Sequence, residues 1–80
     1  LAVWNKGRHV SPEKGKYFSP SEWRIDSYGS PIRYIDYGNI NSKHGWEIDH
    51  IKPTSKGGLD TITNLQPLQW ENNRIKSNKI

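Results

Sequence analysis

The sequence has no cysteine and few large apolar side chains. Only 31% of its 80 residues are hydrophobic. Without cysteine, disulfides and thiolate zinc sites are excluded as a means of stabilising the chain. Four Trp, four Tyr and one Phe must therefore supply much of a thin core, and a bound metal ion could add stability to a chain this short. We expect one small domain built around aromatic side chains.

Long apolar runs are also missing. No stretch approaches the roughly 20 residues that a membrane span needs, and the chain does not begin with a signal-peptide pattern. The sequence therefore predicts no membrane partner and favours a cytoplasmic location. What it does have is a formal net charge of +4. This charge suits a polyanionic partner, although many basic small domains bind none.

Residues 1–22 are polar and basic without regular periodicity. Glycine and proline recur through this segment, so we predict an irregular arm anchored by Trp4 and by Tyr17-Phe18. We expect His9 to be an ordinary surface residue. The basic side chains of the arm suit two roles, contact with phosphate groups or a solvated leader: Lys6, Arg8, Lys14 and Lys16.

Residues 23–80 are predicted to form the folded core of the domain. β-prone side chains in 23–37 flank a run of turn residues, which indicates a hairpin. Asp26 lies in that run, and we interpret it as a turn former that binds nearby backbone amides. His44 follows in a polar connection, where a loop residue is the stronger interpretation and a metal ligand the weaker one.

Residues 46–80 contain extended and helical patterns in turn. Trp46 to Ile51 alternates in residue type and predicts a strand. Residues 52–63 predict a long loop in which Pro53 and the Gly57-Gly58 pair preclude regular structure. A short extended segment follows at 64–68. Residues 69–77 predict a helix with little apolar periodicity, held by packing and by a metal ion more than by its own propensity. The predicted fold class is α+β, a small single domain with a hairpin followed by a strand–strand–helix unit.

Five side chains within residues 46–80 suit hydrolysis of a phosphodiester bond. Such hydrolysis needs a proton acceptor for water, and a neutral histidine such as His50 can take that proton. It also needs a cation that stabilises the developing charge. Asp49 and Asn73 offer hard oxygen ligands, and a magnesium ion often has few protein ligands. Asn64 could orient the imidazole, and Lys76 could bind a flanking phosphate.

The order of these residues is itself distinctive. Along residues 46–79 it resembles the motif of the HNH endonucleases, also called ββα-metal or His-Me finger nucleases: Asp49-His50, Gly57-Gly58, Asn64-Leu65, Asn73 and Lys76. The resemblance implies a ββα-metal unit at 46–79 and cleavage of nucleic acid with a divalent cation. Many members of that family carry cysteine pairs that bind a structural zinc, whereas here the hairpin and the aromatic residues must take over that role.

The resemblance also implies a role for each matching residue. His50 matches the general base that activates water, and Asn64 matches the residue that orients the histidine and its loop. Asp49 and Asn73 match the two metal ligands. Lys76 matches a basic position linked to phosphate binding.

One position departs from the family's name pattern. Asn73 stands where a second histidine is frequent, and an amide oxygen favours Mg²⁺ or Mn²⁺ over Zn²⁺ or Ni²⁺. Asn72 is an alternative ligand if the helix is rotated. Glu47 could share the face of Asp49, with a solvated carboxylate as the competing interpretation. Arg74 and Lys52 join Lys76 as candidate nucleic-acid contacts.

The sequence thus predicts a metal-dependent endonuclease that hydrolyses double-stranded DNA. A single site would nick one strand per event as a monomer, whereas a homodimer could cut both strands. Two alternatives stay open. One is a binding module that retains the fold but does not cleave nucleic acid. The other is a ribonuclease, because the same chemistry serves either backbone.

Overall fold

The computed structural model describes residues 2–11 and 17–78. Within these residues, four strands and one α-helix follow in chain order: β1 (Trp23–Ile25), β2 (Pro31–Arg33), β3 (Trp46–His50), β4 (Leu65–Gln69) and α1 (Trp70–Asn78). β1 pairs with β2 and β3 pairs with β4, both antiparallel. Two hairpins and a C-terminal helix confirm the predicted α+β class. No helix in the described part of the chain is long and apolar enough to cross a membrane.

The first hairpin is shorter than the sequence predicts. Pairing ends at Arg33, and Tyr34–Asp36 form a 3₁₀ turn instead of continuing the strand to Tyr37. The turn carries Tyr34 onto Trp4, with ring centroids 5.3 Å apart, and Tyr37 onto Trp46 at 4.7 Å. The prediction was wrong here because aromatic packing, which β propensity does not report, displaces strand pairing.

Aromatic side chains form the centre of the core, as the composition predicts. Trp4, Ile32 and Trp46 are buried together, and Ile48 packs against them. The rings of Trp4 and Trp46 lie 5.1 Å apart. Trp4 thus joins the N-terminal segment to β3, and full burial of each such side chain contributes roughly 1.5–3 kcal/mol or more.

The second hairpin and α1 form the ββα unit. In the register of β3 with β4, Trp46 faces Gln69 and His50 faces Leu65. The alternation of β3 places Trp46 in the core, while Glu47 and Asp49 on the other face contact side chains of α1. The strand periodicity therefore predicts the two faces of β3 up to Asp49.

Hydrogen bonds of the Asp26 side chain connect the first hairpin to the ββα unit. Its side chain is 1% exposed. One carboxylate oxygen accepts hydrogen bonds from the backbone N–H groups of Tyr28 and Ser30. The other accepts from the backbone N–H of Gln69 and from the side-chain amide of Asn72, both at 2.9 Å. The turn-former interpretation is confirmed, but Asp26 also holds the start of α1, a role that the sequence does not reveal.

Two basic residues, Lys6 of the N-terminal segment and Arg24 of β1, bind backbone carbonyls. Arg24 is 8% exposed and donates to the carbonyls of Asn5, Gly7 and Pro20, which lie in or near the arm. Lys6 donates to the carbonyls of Ile62 and Leu65. The expected phosphate contact of Lys6 therefore competes with a structural one. Lys14 and Lys16 lie outside the described residues.

Candidate functional site

Near the carboxyl end of β3, the buried carboxylate of Asp49 binds the ammonium group of Lys76. Asp49 is 7% exposed. Its Oδ2 accepts a hydrogen bond of 2.9 Å from the amide of Gln66 on β4. Its Oδ1 lies 3.2 Å from the ammonium of Lys76, which also donates to the carbonyl of His50 at 2.7 Å. Two oxygens of neighbouring residues thus converge on one positive charge.

This ion pair is largely removed from solvent, since the Lys76 side chain is 18% exposed and that of Asp49 is 8% exposed. A buried carboxylate without a counter-charge is costly, so Asp49 needs a cation at this place. In the described structure that cation is Lys76. The predicted phosphate-binding role of Lys76 requires the ammonium to leave this position.

A second carboxylate, Glu47, lies one pleat away on the same face of β3. Arg74 donates to it through two guanidinium nitrogens at 2.6 and 3.2 Å, and the Asn73 amide donates at 2.8 Å. The hydrogen bond from Arg74 is the largest cause that lowers the pKa of Glu47; partial burial opposes it, and Asn73 and the charge of Arg74 add to it. The same contact raises the pKa of Arg74.

The ring of His50 has a partner in the loop that follows β3. Its Nε2 lies 2.6 Å from Oδ1 of Asp60. Sequence reasoning missed Asp60 as a site residue, because ten positions of loop separate it from His50 and no periodicity links the two. The one available signal is a carboxylate soon after the Gly57-Gly58 pair.

Asn64 holds this loop and makes no hydrogen bond to the imidazole. Its Oδ1 accepts from the backbone N–H of Lys52 at 2.8 Å, and its Nδ2 donates to the carbonyls of Lys52 and Leu59 at 3.0 and 2.8 Å. The side chain therefore bridges the two ends of the segment 52–59. Asn64 was expected to orient both His50 and its loop. The structure shows the contacts with the loop.

The glycine pair of the loop meets two different requirements. Gly57 has φ of 87°, a left-handed conformation that other residues adopt only with strain. A Cβ on Gly58 would lie 1.8 Å from the carbonyl oxygen of Lys52 and 2.9 Å from Nδ2 of Asn64. Gly57 thus permits the turn, and Gly58 leaves room for the contacts of Asn64.

The predicted metal ligands have different partners in this structure. Asp49 binds Lys76 and Gln66, whereas Asn73 binds Glu47. Within the described residues, no group of three or more His, Cys, Asp or Glu side chains could hold a metal ion. Asn72, the alternative ligand, binds Asp26 and Ser30, while Asn73 binds Glu47 of β3.

Three candidate residues remain: Lys52, Arg74 and His44. Lys52 is exposed, while Arg74 is engaged with Glu47. His44 packs edge-on against Trp23 at 4.9 Å, and its Nδ1 lies 3.2 Å from the Pro31 carbonyl. These contacts fit the interpretation of His44 as a loop residue.

The comparison with protein families now bears directly on this arrangement. A model of the HNH endonuclease family matches residues 37–79, more than half of the chain. The chain belongs to the HNH endonuclease family. Searches of curated proteins and of solved structures gave no match.

The family match coincides with the structural unit that carries the site. It begins at Tyr37, whose backbone forms an isolated parallel bridge with Trp46 at the start of β3, and it continues through β4 and α1. Membership of the HNH family indicates a nuclease-type function, with nucleic acid as the partner.

Proposed function

We propose that this HNH domain is a metal-dependent endonuclease that hydrolyses phosphodiester bonds of DNA. The observation that carries the proposal is the buried Asp49 carboxylate, which binds the ammonium group of Lys76 beside His50. A proton acceptor and a cation-binding oxygen thus follow one another on β3, as hydrolysis of a phosphodiester requires.

The donor set fits a hard divalent cation. Asp49 Oδ1 already binds a positive charge, the Lys76 ammonium, which stands in for a metal ion. Asn73 uses its amide nitrogen to bind Glu47, so its amide oxygen is the atom that a cation would use. Two oxygen ligands, with water and substrate completing the shell, suit Mg²⁺ or Mn²⁺. When bound, such an ion stabilises negative charge on the phosphate and on the leaving oxygen.

The other side chains have roles that follow from their contacts. His50 takes a proton from the attacking water as the water oxygen forms a bond to phosphorus. The bond from phosphorus to the leaving oxygen breaks, and the leaving oxygen takes a proton from solvent water. Asn64 keeps the loop beside His50 in place through its contacts with Lys52 and Leu59. Arg74 and the exposed Lys52 lie at the periphery of this centre and supply positive charge for the nucleic-acid backbone.

Lys76 is an internal counter-ion of Asp49, and a bound divalent cation would displace it. Its ammonium and a divalent cation would compete for the same oxygen of Asp49, so both cannot be bound there at full strength. Displacement leaves the ammonium free to bind a phosphate of the substrate. Such an exchange would account for both the predicted phosphate binding of Lys76 and its observed contact with Asp49.

The same contact favours one alternative. If Lys76 is not displaced from Asp49, the domain retains its fold and its positive charge and binds nucleic acid without cleaving it. Binding of DNA with no cleavage at any concentration of Mg²⁺ or Mn²⁺ would support this alternative over the nuclease.

A plasmid-nicking assay tests the proposed activity. With Mg²⁺ or Mn²⁺, the wild-type domain should convert supercoiled plasmid into the nicked form. His50→Ala should lower the rate by about 10²- to 10⁴-fold, the usual contribution of a general base. His9→Ala is the matched control, because His9 is exposed and lies outside the family match. Equal rates for wild type and His50→Ala would place the base elsewhere.

Two further arms of the assay address the substrate and the number of cuts. A monomer with one site should give nicked plasmid before linear plasmid, and linear DNA without a nicked precursor would indicate a dimer. A single-stranded RNA of matched length tests the ribonuclease alternative, which the same site chemistry permits.

A further inference from the structure

We propose that Asp60 is the residue that positions the His50 ring for catalysis. The carboxylate Oδ1 of Asp60 lies 2.6 Å from Nε2 of His50, a distance typical of a strong hydrogen bond to a charged group. The inference rests on the proposed nuclease function, since it assigns a partner to the general base of that reaction.

The contact determines which ring nitrogen is available for catalysis. An ionised carboxylate can only accept a hydrogen bond, so Nε2 of His50 must carry the hydrogen in this contact. In the neutral ring, Nδ1 is then the atom with a free electron pair. We therefore assign Nδ1 as the nitrogen that takes the proton from water, with Nε2–H fixed by Asp60.

The position of Asp60 is determined by contacts on both sides of it along the chain. On one side, the carbonyl of Leu59 accepts a hydrogen bond from Asn64 at 2.8 Å. On the other side, the carbonyl of Ile62 accepts one from Lys6 at 2.7 Å. Asn64 thus affects the imidazole through the loop, by holding the backbone next to the residue that binds the ring.

Stability does not account for this contact. The side chain of Asp60 is 87% exposed and that of His50 is 33% exposed, and exposed ion pairs contribute little to folding. Removing the carboxylate should therefore leave the fold intact while it frees the ring. A substitution of Asp60 can therefore test the positioning of the His50 ring without unfolding the domain.

The first test measures the ring itself and needs neither metal nor substrate. In protein labelled with ¹³C and ¹⁵N at histidine, the His50 ring should be ordered and should show a hydrogen-bonded Nε2–H signal. Asp60→Ala should lose that signal and lower the ring order to that of the exposed His9 ring. Asp60→Asn keeps an acceptor oxygen and should retain most of the order. A His50 ring that is equally ordered in wild type and Asp60→Ala would overturn the proposal.

The second test measures cleavage. Asp60→Ala should lower kcat by about 10- to 100-fold, the loss expected when a partner that orients a functional histidine is removed, with KM nearly unchanged. Asp60→Asn should fall between wild type and Asp60→Ala. The control is Thr61→Ala, a neighbouring exposed position whose hydroxyl lies against that of Thr63.

The outcomes separate this proposal from the proposed function. A mobile ring with unchanged kcat, or an effect on KM alone, would contradict a positioning role for Asp60. Absence of any cleavage by the wild type would refute the nuclease function, while the ring measurement would still decide whether Asp60 holds His50.

Discussion

Asp26 and Asp49 are both buried aspartates, but their surroundings differ in charge. Asp26 accepts four hydrogen bonds from backbone and amide N–H groups, all of them neutral. Asp49 accepts one from the neutral amide of Gln66 and binds the ammonium of Lys76 with its other oxygen. The first carboxylate lies between the hairpin and the start of α1, and the second lies beside His50.

The difference indicates which carboxylate is structural and which can exchange its partner. Three of the four donors to Asp26 are backbone N–H groups, which cannot leave the carboxylate unless the fold opens. The ammonium of Lys76 is the end of a flexible side chain, so a stronger cation can replace it without unfolding the domain. Burial alone therefore does not identify a functional aspartate in this chain, whereas the nature of its donors does.

Substitution of Asp26 should have the largest effect on stability. In Asp26→Asn an amide nitrogen replaces one oxygen and meets N–H groups that need an acceptor. We expect a loss of about 3–5 kcal/mol, because buried donors lose their partners. Thermal unfolding followed by circular dichroism measures this loss. The control is Asp36→Asn, at a half-buried aspartate whose Oδ2 accepts a hydrogen bond of 2.8 Å from the Ser42 hydroxyl. A melting temperature within a few degrees of wild type would show that the Asp26 contacts are dispensable.

Substitution of Lys76 should have a smaller effect that depends on metal. Lys76→Met removes the counter-charge of Asp49 and should cost about 2–4 kcal/mol in EDTA, less than a fully buried pair because solvent reaches the ammonium. Mn²⁺ should restore part of this stability and raise the melting temperature more than it does for wild type. Lys52→Met, at an exposed position, is the control. A variant that Mn²⁺ does not stabilise would contradict exchange at Asp49.

Substitution of Glu47 should have the smallest effect on stability, and the size of that effect should depend on pH. Its pKa in the folded domain is lowered, with the hydrogen bond from Arg74 as the main cause. The ionised group therefore contributes stability above the unfolded value of about 4.3, and this contribution is lost as the pH falls through the folded pKa. In EDTA, Glu47→Gln should lower the melting temperature by less than about 5 °C at pH 7, and by less at pH 3 than at pH 7. An equal change at both pH values would exclude ionisation as the cause.

The sequence predicts much of the ββα unit because local patterns specify it. Alternation of residue types gave β3, and the predicted helix at 69–77 differs from the observed Trp70–Asn78 by one residue at each end. The extended segment predicted at 64–68 is β4 at Leu65–Gln69. The long loop was expected to lack regular structure, yet it contains two 3₁₀ turns.

The contacts between side chains were harder to predict, because they depend on how distant segments meet. Asp60 reaches His50 across ten residues, and Asp26 reaches Gln69 across 43. Neither spacing follows a helical or strand period. The pairing of Lys76 with Asp49 was missed for a different reason: sequence patterns give a basic residue a role toward ligands and do not show which internal charge it neutralises.

The central claim is that the Asp49 carboxylate binds an exchangeable cation, and calorimetric titration with Mn²⁺ tests it most directly. Wild type and the Asp36→Asn control should bind one Mn²⁺ per chain with equal affinity. Asp49→Asn, which retains an oxygen for Gln66 but loses the charge, should bind Mn²⁺ at least about tenfold more weakly, a difference of about 1.4 kcal/mol. Equal affinity of wild type and Asp49→Asn would contradict the claim.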